Sequence, residues 1–344
     1  MVSADVVSPK IGSMNQPGLN PRRLERLMRS AIERCHLHLD GRIVLTEAAS
    51  GAYVVTPILA ALAGAEHVYA ITRTTRYGNA EDIRNETLAL AKRVGVDRCI
   101  EFIARKTYEH VSQADIITNS GHVRPLDSET IGWMKPTAVI PLMYETWELR
   151  PSDVDIEACR QRGIAFAGTN ERHPAIDVFS FLGAMAIKQL LDAGVAVYAS
   201  RILLLCDNFF SPFIVKRLVS CGADVDVRRQ LADVPPGTTY DAIVVALQPR
   251  SEPVLTDAEA HTIATSMPEA IVMQFWGDIE REPFYAADIM LWPPQAPPQG
   301  HMGILPSAVG PDPVIRLQSG GLKVAQVLLD PDATSADQKF LQTL

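Results

Sequence analysis

The 344-residue chain has no run of five or more basic residues, and its formal net charge is −8. Nucleic acid and anionic membrane surfaces are therefore not expected as partners, because both demand a concentrated positive field. An uninterrupted apolar stretch of the ~20 residues that a membrane-crossing helix requires is also missing. The longest candidates, such as Ala48–Ala65, are broken by Ser, Thr, Pro and Gly and run straight into charge. Met1 to Asn20 has no charged segment leading into an apolar one, so no secretion signal is expected there. Cysteine is scarce and unpaired in pattern: Cys35, Cys99, Cys159, Cys206 and Cys221 are odd in number and form no CxxC. Such thiols fit a reduced, cytoplasmic protein. No His/Cys/carboxylate group has zinc-ligand spacing, and no metal is expected.

What is present is core. Hydrophobic residues make up 47% of the chain and charged ones 21%, which excludes wholesale disorder. At roughly 100–200 residues per domain, the length allows about two domains. Residues 1–20 are polar and aperiodic and read as a loose arm. Asn20-Pro21 then opens a helix with Leu24, Leu27, Met28, Ile32 and Cys35 on its apolar face. Short apolar runs follow at Ile43–Thr46, Val68–Thr72, Ile100–Ala104, Asp115–Thr118, Ala138–Leu142 and Ile164–Ala167. Helical segments at Tyr53–Ala63, Glu81–Val94, Ser128–Met134 and Asp155–Arg162 separate most of them. That alternation predicts βαβ units and a parallel sheet.

Asp177–Ala193 reads as a long helix, apolar nearly all round and hence buried. The rhythm then restarts. Strands are expected at Arg201–Cys206, Asp224–Arg228, Asp241–Ala246, Ala270–Gln274 and Asp288–Leu291, with helices at Ser211–Cys221 and Asp257–Thr265. Pro293–Pro313 must be irregular, and Val314–Leu329 closes the chain as a helix. The fold class is therefore α/β: two doubly wound, Rossmann- or flavodoxin-like domains with parallel sheets, joined by the Asp177–Ala193 helix. The expected divisions are an arm and helix over 1–40, a first domain over 41–175, a second over 176–310, and a returning helix over 311–344.

Open parallel sheets bind ligands outside the carboxyl ends of their strands. The residues in those positions form the candidate site. In the first half they include Glu47, Ser50, Gly51, Arg73, Asn119, His122 and Glu145; in the second, Asn208, Arg228 and His301. The small-residue segment Glu47–Tyr53, between a strand and a helix, could seat a nucleotide through Ser50 and Gly51, with Arg73 and Arg76 able to take a 2′-phosphate. A plain strand–helix turn is the alternative. Glu47 and Glu145 end apolar strands, where a carboxyl can have a raised pKa and act as a base, or else pair with Arg73 or Arg124.

From Asp115 to Leu329 the chain resembles the D-2-hydroxyacid dehydrogenase family. Asp153–Gly168 (DVDIEACRQRGIAFAG) is similar to its D-x-x-A-x-x-x-G-I-x-V-x-N segment, and Ala270–Gly277 (AIVMQFWG) to its strand ending in Arg-Gly. Arg281-Glu282-Pro283 resembles its Glu-Pro element, and His301 stands in the place of its Pro-His loop. The resemblance implies a bilobal NAD- or NADP-dependent oxidoreductase acting on a small carboxylate or carbonyl compound in an interdomain cleft. It also implies a homodimer, with His301 as acid/base and Glu280 or Glu282 as its carboxylate partner. Two departures stand out. The phosphate loop G-x-G-x-x-G is replaced by Cys206-Asp207-Asn208-Phe209-Phe210-Ser211-Pro212, without a glycine, and the substrate-holding Arg is replaced by Trp276. The reading carried forward is an NAD(P)-dependent oxidoreductase-like enzyme. Catalysis is assigned to His301, Glu282, His122 and Glu145, and cofactor binding to Ser50, Gly51, Arg73, Asn119, Asn208 and Arg228. The alternative is a dehydrogenase-like protein that has left hydride chemistry, either a different enzyme or a non-catalytic small-molecule binder.

Overall fold

A computed structural model describes residues 16–344. Most of the arm expected over residues 1–20 lies outside the described residues, and Pro17–Leu19 within it form a 3-10 turn. The chain divides into two compact units: residues up to Val178 together with Gly310–Leu344, and Phe179–Val309.

The first unit opens with α1 (Pro21–Cys35), capped by the Asn20 side chain, which accepts from the Arg22 amide at 2.9 Å. There follow β1 (Ile43–Glu47), α2 (Thr56–Leu62), β2 (His67–Ile71), α3 (Ala80–Val94), β3 (Ile100–Ile103), α4 (Tyr108–Gln113), β4 (Ile116–Ile117), α5 (Ser128–Trp133), β5 (Val139–Leu142), α6 (Ile156–Arg162) and β6 (Ala165–Thr169). The second unit contains α7 (Leu182–Asp192), β7 (Arg201–Leu205), α8 (Ser211–Ser220), β8 (Asp224–Arg228), β9 (Ala242–Ala246), α9 (Asp257–Ser266), β10 (Ile271–Trp276), α10 (Arg281–Ala286) and β11 (Leu291–Trp292). The chain then completes the first unit with α11 (Pro311–Leu329) and β12 (Leu341–Gln342).

The first sheet has the order β12-β6-β5-β4-β1-β2-β3, and the second β11-β10-β9-β7-β8. All pairings are parallel except that of β12 with β6. Parallel strands are covered on both faces, so they read as unbroken apolar runs rather than alternations. β9 is the extreme case: Ala242, Ile243, Val244, Val245 and Ala246 are all buried.

The structure corrects the expected Asp177–Ala193 helix. Asp177 is left-handed (φ 51°), and the Val178 amide turns back to the Glu171 carbonyl at 3.0 Å. Only after the 3-10 turn Phe179–Phe181 does α7 begin, at Leu182. The antiparallel edge strand β12 is likewise a departure from wholly parallel sheets. It is held in place by Lys323 on α11, which is 3% exposed and pairs with Asp337 at 3.0 Å. α11 lies very close to β5 and β6: a Cβ on Gly320 would come within 3.0 Å of the Thr169 side chain on β6. Among the described residues no helix is long and apolar enough to cross a membrane.

Candidate functional site

In the first unit the chain runs outward through β1, β2 and β3, then returns to place β4, β5 and β6 on the other side of β1. The order 3-2-1-4-5-6 is that of dinucleotide-binding sheets, and its switch point lies between β1 and β4. Six of the expected site residues gather along this carboxyl edge: Ser50 and Gly51 after β1, Arg73 after β2, Asn119 and His122 after β4, and Glu145 after β5.

The loops there are tied to one another. The Thr46 and Thr118 hydroxyls meet at 2.9 Å, and Thr118 meets Ser120 at 2.8 Å, so a chain of hydroxyls crosses the switch point. Glu47, 6% exposed, accepts from the His122 amide at 2.7 Å, and the Arg73 guanidinium donates to the His122 carbonyl. Asn119, 1% exposed, accepts from the Met143 amide at 2.7 Å while its Nδ2 has no partner. Thr72 Oγ1 and the ring Nδ1 of His122 are also buried without a partner. A buried polar atom left unpaired costs about 1–3 kcal/mol, which makes this edge a place where a ligand has something to satisfy.

Beyond β5 and β6 the edge becomes acidic. Glu145 accepts from the Trp147 indole at 2.7 Å and pairs with Arg172 at 3.4 Å. Glu148, at the end of the next 3-10 turn, shares a hydrogen bond with Glu171, which follows β6. Burial pushes the Glu148 carboxyl up to about 7, opposed by Arg150. Glu171 is held well above the usual carboxylate range, first by burial and then by the charges of Glu148 and Glu145. Two carboxyls this close cannot both ionise cheaply, so the pair keeps one proton near neutral pH. Tyr53 belongs to the same group: burial, then Glu47, Glu148 and Glu171, push its phenol up to about 12. Behind Arg150, the loops after β4 and β5 leave a groove of about 580 Å³, lined by Leu126, Leu149 and Ile156 among others. Glu148, Glu171 and Tyr53 were missed as acid/base candidates from sequence, although each follows the end of a parallel strand.

The other four expected site residues lie on the second unit. Asn208 is occupied by its own loop: Nδ2 donates to the Ala246 carbonyl at 2.7 Å, and Oδ1 accepts from the Phe210 amide at 3.0 Å. Arg228 pairs with Asp226 at 3.1 Å, which also accepts from Tyr240. Glu282 is exposed in the first turn of α10. His301 is half-buried, its amide bonded to the Pro298 carbonyl at 2.9 Å.

A pyrophosphate does not fit the loop after β7. Phe210 lies within it, 3% exposed, stacked on Trp276 at 4.9 Å. Trp276 is itself 4% exposed and donates to the Gly300 carbonyl at 3.3 Å. Pro212 removes an amide from the first turn of α8, and the Asp207 carboxylate is committed to the Gln248 amide at 2.9 Å and to Arg250 at 3.4 Å. Arg281 offers no substitute for the missing Arg, since its guanidinium holds Gln274 at 2.6 Å and the Pro293 carbonyl at 2.7 Å.

No family model matches the chain, and no curated protein matches it by sequence. Among solved structures, the A component of dipicolinate synthase from Bacillus halodurans is similar over 86% of this chain and 100% of that one, with 12% identity and a TM-score of 0.54. Its counterpart from Bacillus subtilis is similar over 83% and 95%, with 12% identity and a TM-score of 0.52. The chain has their fold. Structures of D-2-hydroxyacid dehydrogenase type also resemble it, including NAD+-bound 3-phosphoglycerate dehydrogenase from Entamoeba histolytica. That likeness covers 88% of this chain and 99% of that one, at 10% identity and a TM-score of 0.42. At such identities the likeness is one of architecture; it transfers no residue roles.

Proposed function

We propose that the chain is an oxidoreductase-type enzyme that uses a nicotinamide dinucleotide to act on a small carboxylate or carbonyl compound at the carboxyl edge of its first unit. One observation carries this reading: Glu145, Glu148 and Glu171 gather at the edge where all six parallel strands of that unit end, and there the Glu148 and Glu171 carboxyls are held protonated well above the ordinary range by burial. A carboxyl titrating near 7 is poised for general acid–base work, and strongly perturbed groups gathered at a strand-end crevice mark a reaction centre more often than a structural one. The dinucleotide, when bound, supplies or accepts a hydride.

The chain's own residues supply the rest. The Glu148–Glu171 pair holds one proton near neutral pH, so it can give a proton to a carbonyl oxygen or take one from a hydroxyl. Arg172 and the Trp147 indole fix Glu145 beside them. Arg150, 31% exposed and 3.9 Å from Asp153, is a cation held loosely enough to turn toward a substrate carboxylate. Trp147, which is 37% exposed, and Tyr53 offer apolar surface to limit water.

A second reading, an acid–base enzyme without hydride transfer, is favoured by the filled loop after β7. One assay separates the two. Hydride exchange with NADH and NADPH is followed over a panel of 2-oxo acids, 2-hydroxy acids and simple carbonyl compounds, for the wild type and Glu171→Gln. The redox reading expects turnover that drops about 10²–10⁴-fold in the variant, the usual worth of general acid–base catalysis. Unchanged nicotinamide fluorescence at millimolar cofactor would leave only the second reading.

A further inference from the structure

We infer that the first unit, rather than the second, carries the nucleotide, and that the bound form bears a 2′-phosphate. The inference rests on the dinucleotide reading above and fixes where that ligand sits. Topology is the first ground. The first unit has the complete 3-2-1-4-5-6 order of dinucleotide-binding sheets, whereas the second has the shorter flavodoxin-like order 2-1-3-4-5, whose own switch point lies between β7 and β9, beside the loop that Phe210 and Trp276 fill.

The loop after β1 is the second ground. Ala48-Ala49-Ser50-Gly51-Ala52 has no side chain larger than Ser, and Gly51 is left-handed at φ 64° with nothing within 4 Å of where a Cβ would stand. The Ala48 amide is committed to Ile71 at 2.9 Å, but those of Ala49, Ser50, Gly51 and Ala52 have no acceptor among the described residues. Successive unpaired amides at a strand end form a cradle for an anion. Buried, unpartnered side-chain atoms lie on both neighbouring strands: Thr72 Oγ1 just past Ile71, which is in register with Glu47, and Asn119 Nδ2 just past Thr118, whose amide bonds Leu45. Thr72 is 9% exposed and Asn119 1%.

Charge is the third ground. After β2 the chain reads Thr72-Arg73-Thr74-Thr75-Arg76, with no carboxylate before Glu81. An acid in this position would hydrogen-bond a free ribose 2′-hydroxyl, whereas an arginine there accommodates a 2′-phosphate. The same loop comes back onto Ser50: a Cβ on Gly78 would lie 3.1 Å from the Ser50 Cβ, so both arginines are carried on a segment that borders the cradle. Glu47 is nearby, but its carboxylate is spent on the His122 amide, and Arg73 at the His122 carbonyl offsets its charge. The acidic group after β5 and β6 then falls on the half of the sheet opposite the adenosine end.

Binding to the full chain tests this. NADPH and NADH are titrated with nicotinamide fluorescence and calorimetry as readouts, and amide hydrogen exchange is measured with and without NADPH. NADPH should bind at least about tenfold tighter than NADH, and Arg73→Ala should remove most of that preference, one charge-assisted contact being worth about a factor of ten. Ser50→Glu should weaken both ligands by tenfold or more, while Phe209→Asp on the second unit should change neither by more than about twofold. Exchange in the wild type should slow over residues 48–52 and 72–78, a readout independent of whether any variant folds. Protection at residues 206–212, or loss of binding in Phe209→Asp with Ser50→Glu unaffected, overturns this inference and leaves the redox reading standing. Failure of the wild type to bind either cofactor overturns both.

Discussion

Replacing Glu148 by Gln should make the protein more stable at pH 8 and almost no different at pH 5. The folded state holds the Glu148 carboxyl at about 7, mainly through burial, against an ordinary value of 4.5. A raised carboxyl favours folding while it is protonated, so its contribution is present below the ordinary value and is lost as pH rises through the folded one. Each tenfold difference in proton affinity is about 1.4 kcal/mol, which puts the penalty above pH 7 at up to roughly 3 kcal/mol. Part-exposure of Glu148 reduces this, and about 1–3 kcal/mol is the expected gain for Glu148→Gln at pH 8. The amide keeps a hydrogen bond to Glu171 but cannot ionise. Urea unfolding from pH 5 to pH 8 in half-unit steps, followed by circular dichroism, reads the effect directly. The wild type should lose stability across that range and the variant should lose less, while turnover falls in the variant. A wild type that gains stability from pH 5 to 8, or a variant equally destabilised at both ends, would refute the shared-proton account.

Three further outcomes follow from other contacts. His301→Asn and Glu171→Gln, assayed side by side, should separate the two acid/base candidates: the 10²–10⁴-fold loss of about the general-acid magnitude belongs to Glu171→Gln, and finding it in His301→Asn alone would move the proton to the second unit. Trp276→Arg, which restores the residue of the dehydrogenase pattern, should cost about 3–5 kcal/mol, because it buries an unpaired cation and removes the stack on Phe210; a thermal midpoint equal to wild type would show that the loop is not packed as described. Lys323→Met should release residues 334–342 to proteolysis without unfolding the sheet. Acid should do the same, since Asp337 is held at about 2, chiefly by the Thr334 hydroxyl and then by Lys323, and that stabilisation is present above the ordinary 3.8 and disappears as pH falls toward 2.

Much of the architecture was legible because burial on both faces leaves a parallel strand nothing but apolar residues: Ile43–Glu47 and Ala242–Ala246 stand out at once. Local signals failed where the backbone did something a residue pattern does not report, as at left-handed Asp177, or where pairing is remote and short, as for Leu341–Gln342 on β6. The acid pair was illegible for a related reason. Glu148 sits in a stretch, Thr146-Trp147-Glu148-Leu149-Arg150, that looks like ordinary surface. Its carboxyl is raised chiefly by burial, and then by the charge of Glu145, both of which exist only once the loops after β5 and β6 are packed side by side. Strand order was the decisive quantity that no residue pattern carries. Motif resemblance directs attention to the strand–turn–helix at Arg201–Cys221, which is the nucleotide loop of the dehydrogenase pattern. The pairing of β4 with β1 directs it instead to Ala48–Ala52. Where the two disagree, the packing of Phe210 against Trp276 decides, because an aromatic pair filling a loop leaves no backbone surface for a pyrophosphate, whereas four unpaired amides beside a switch point do.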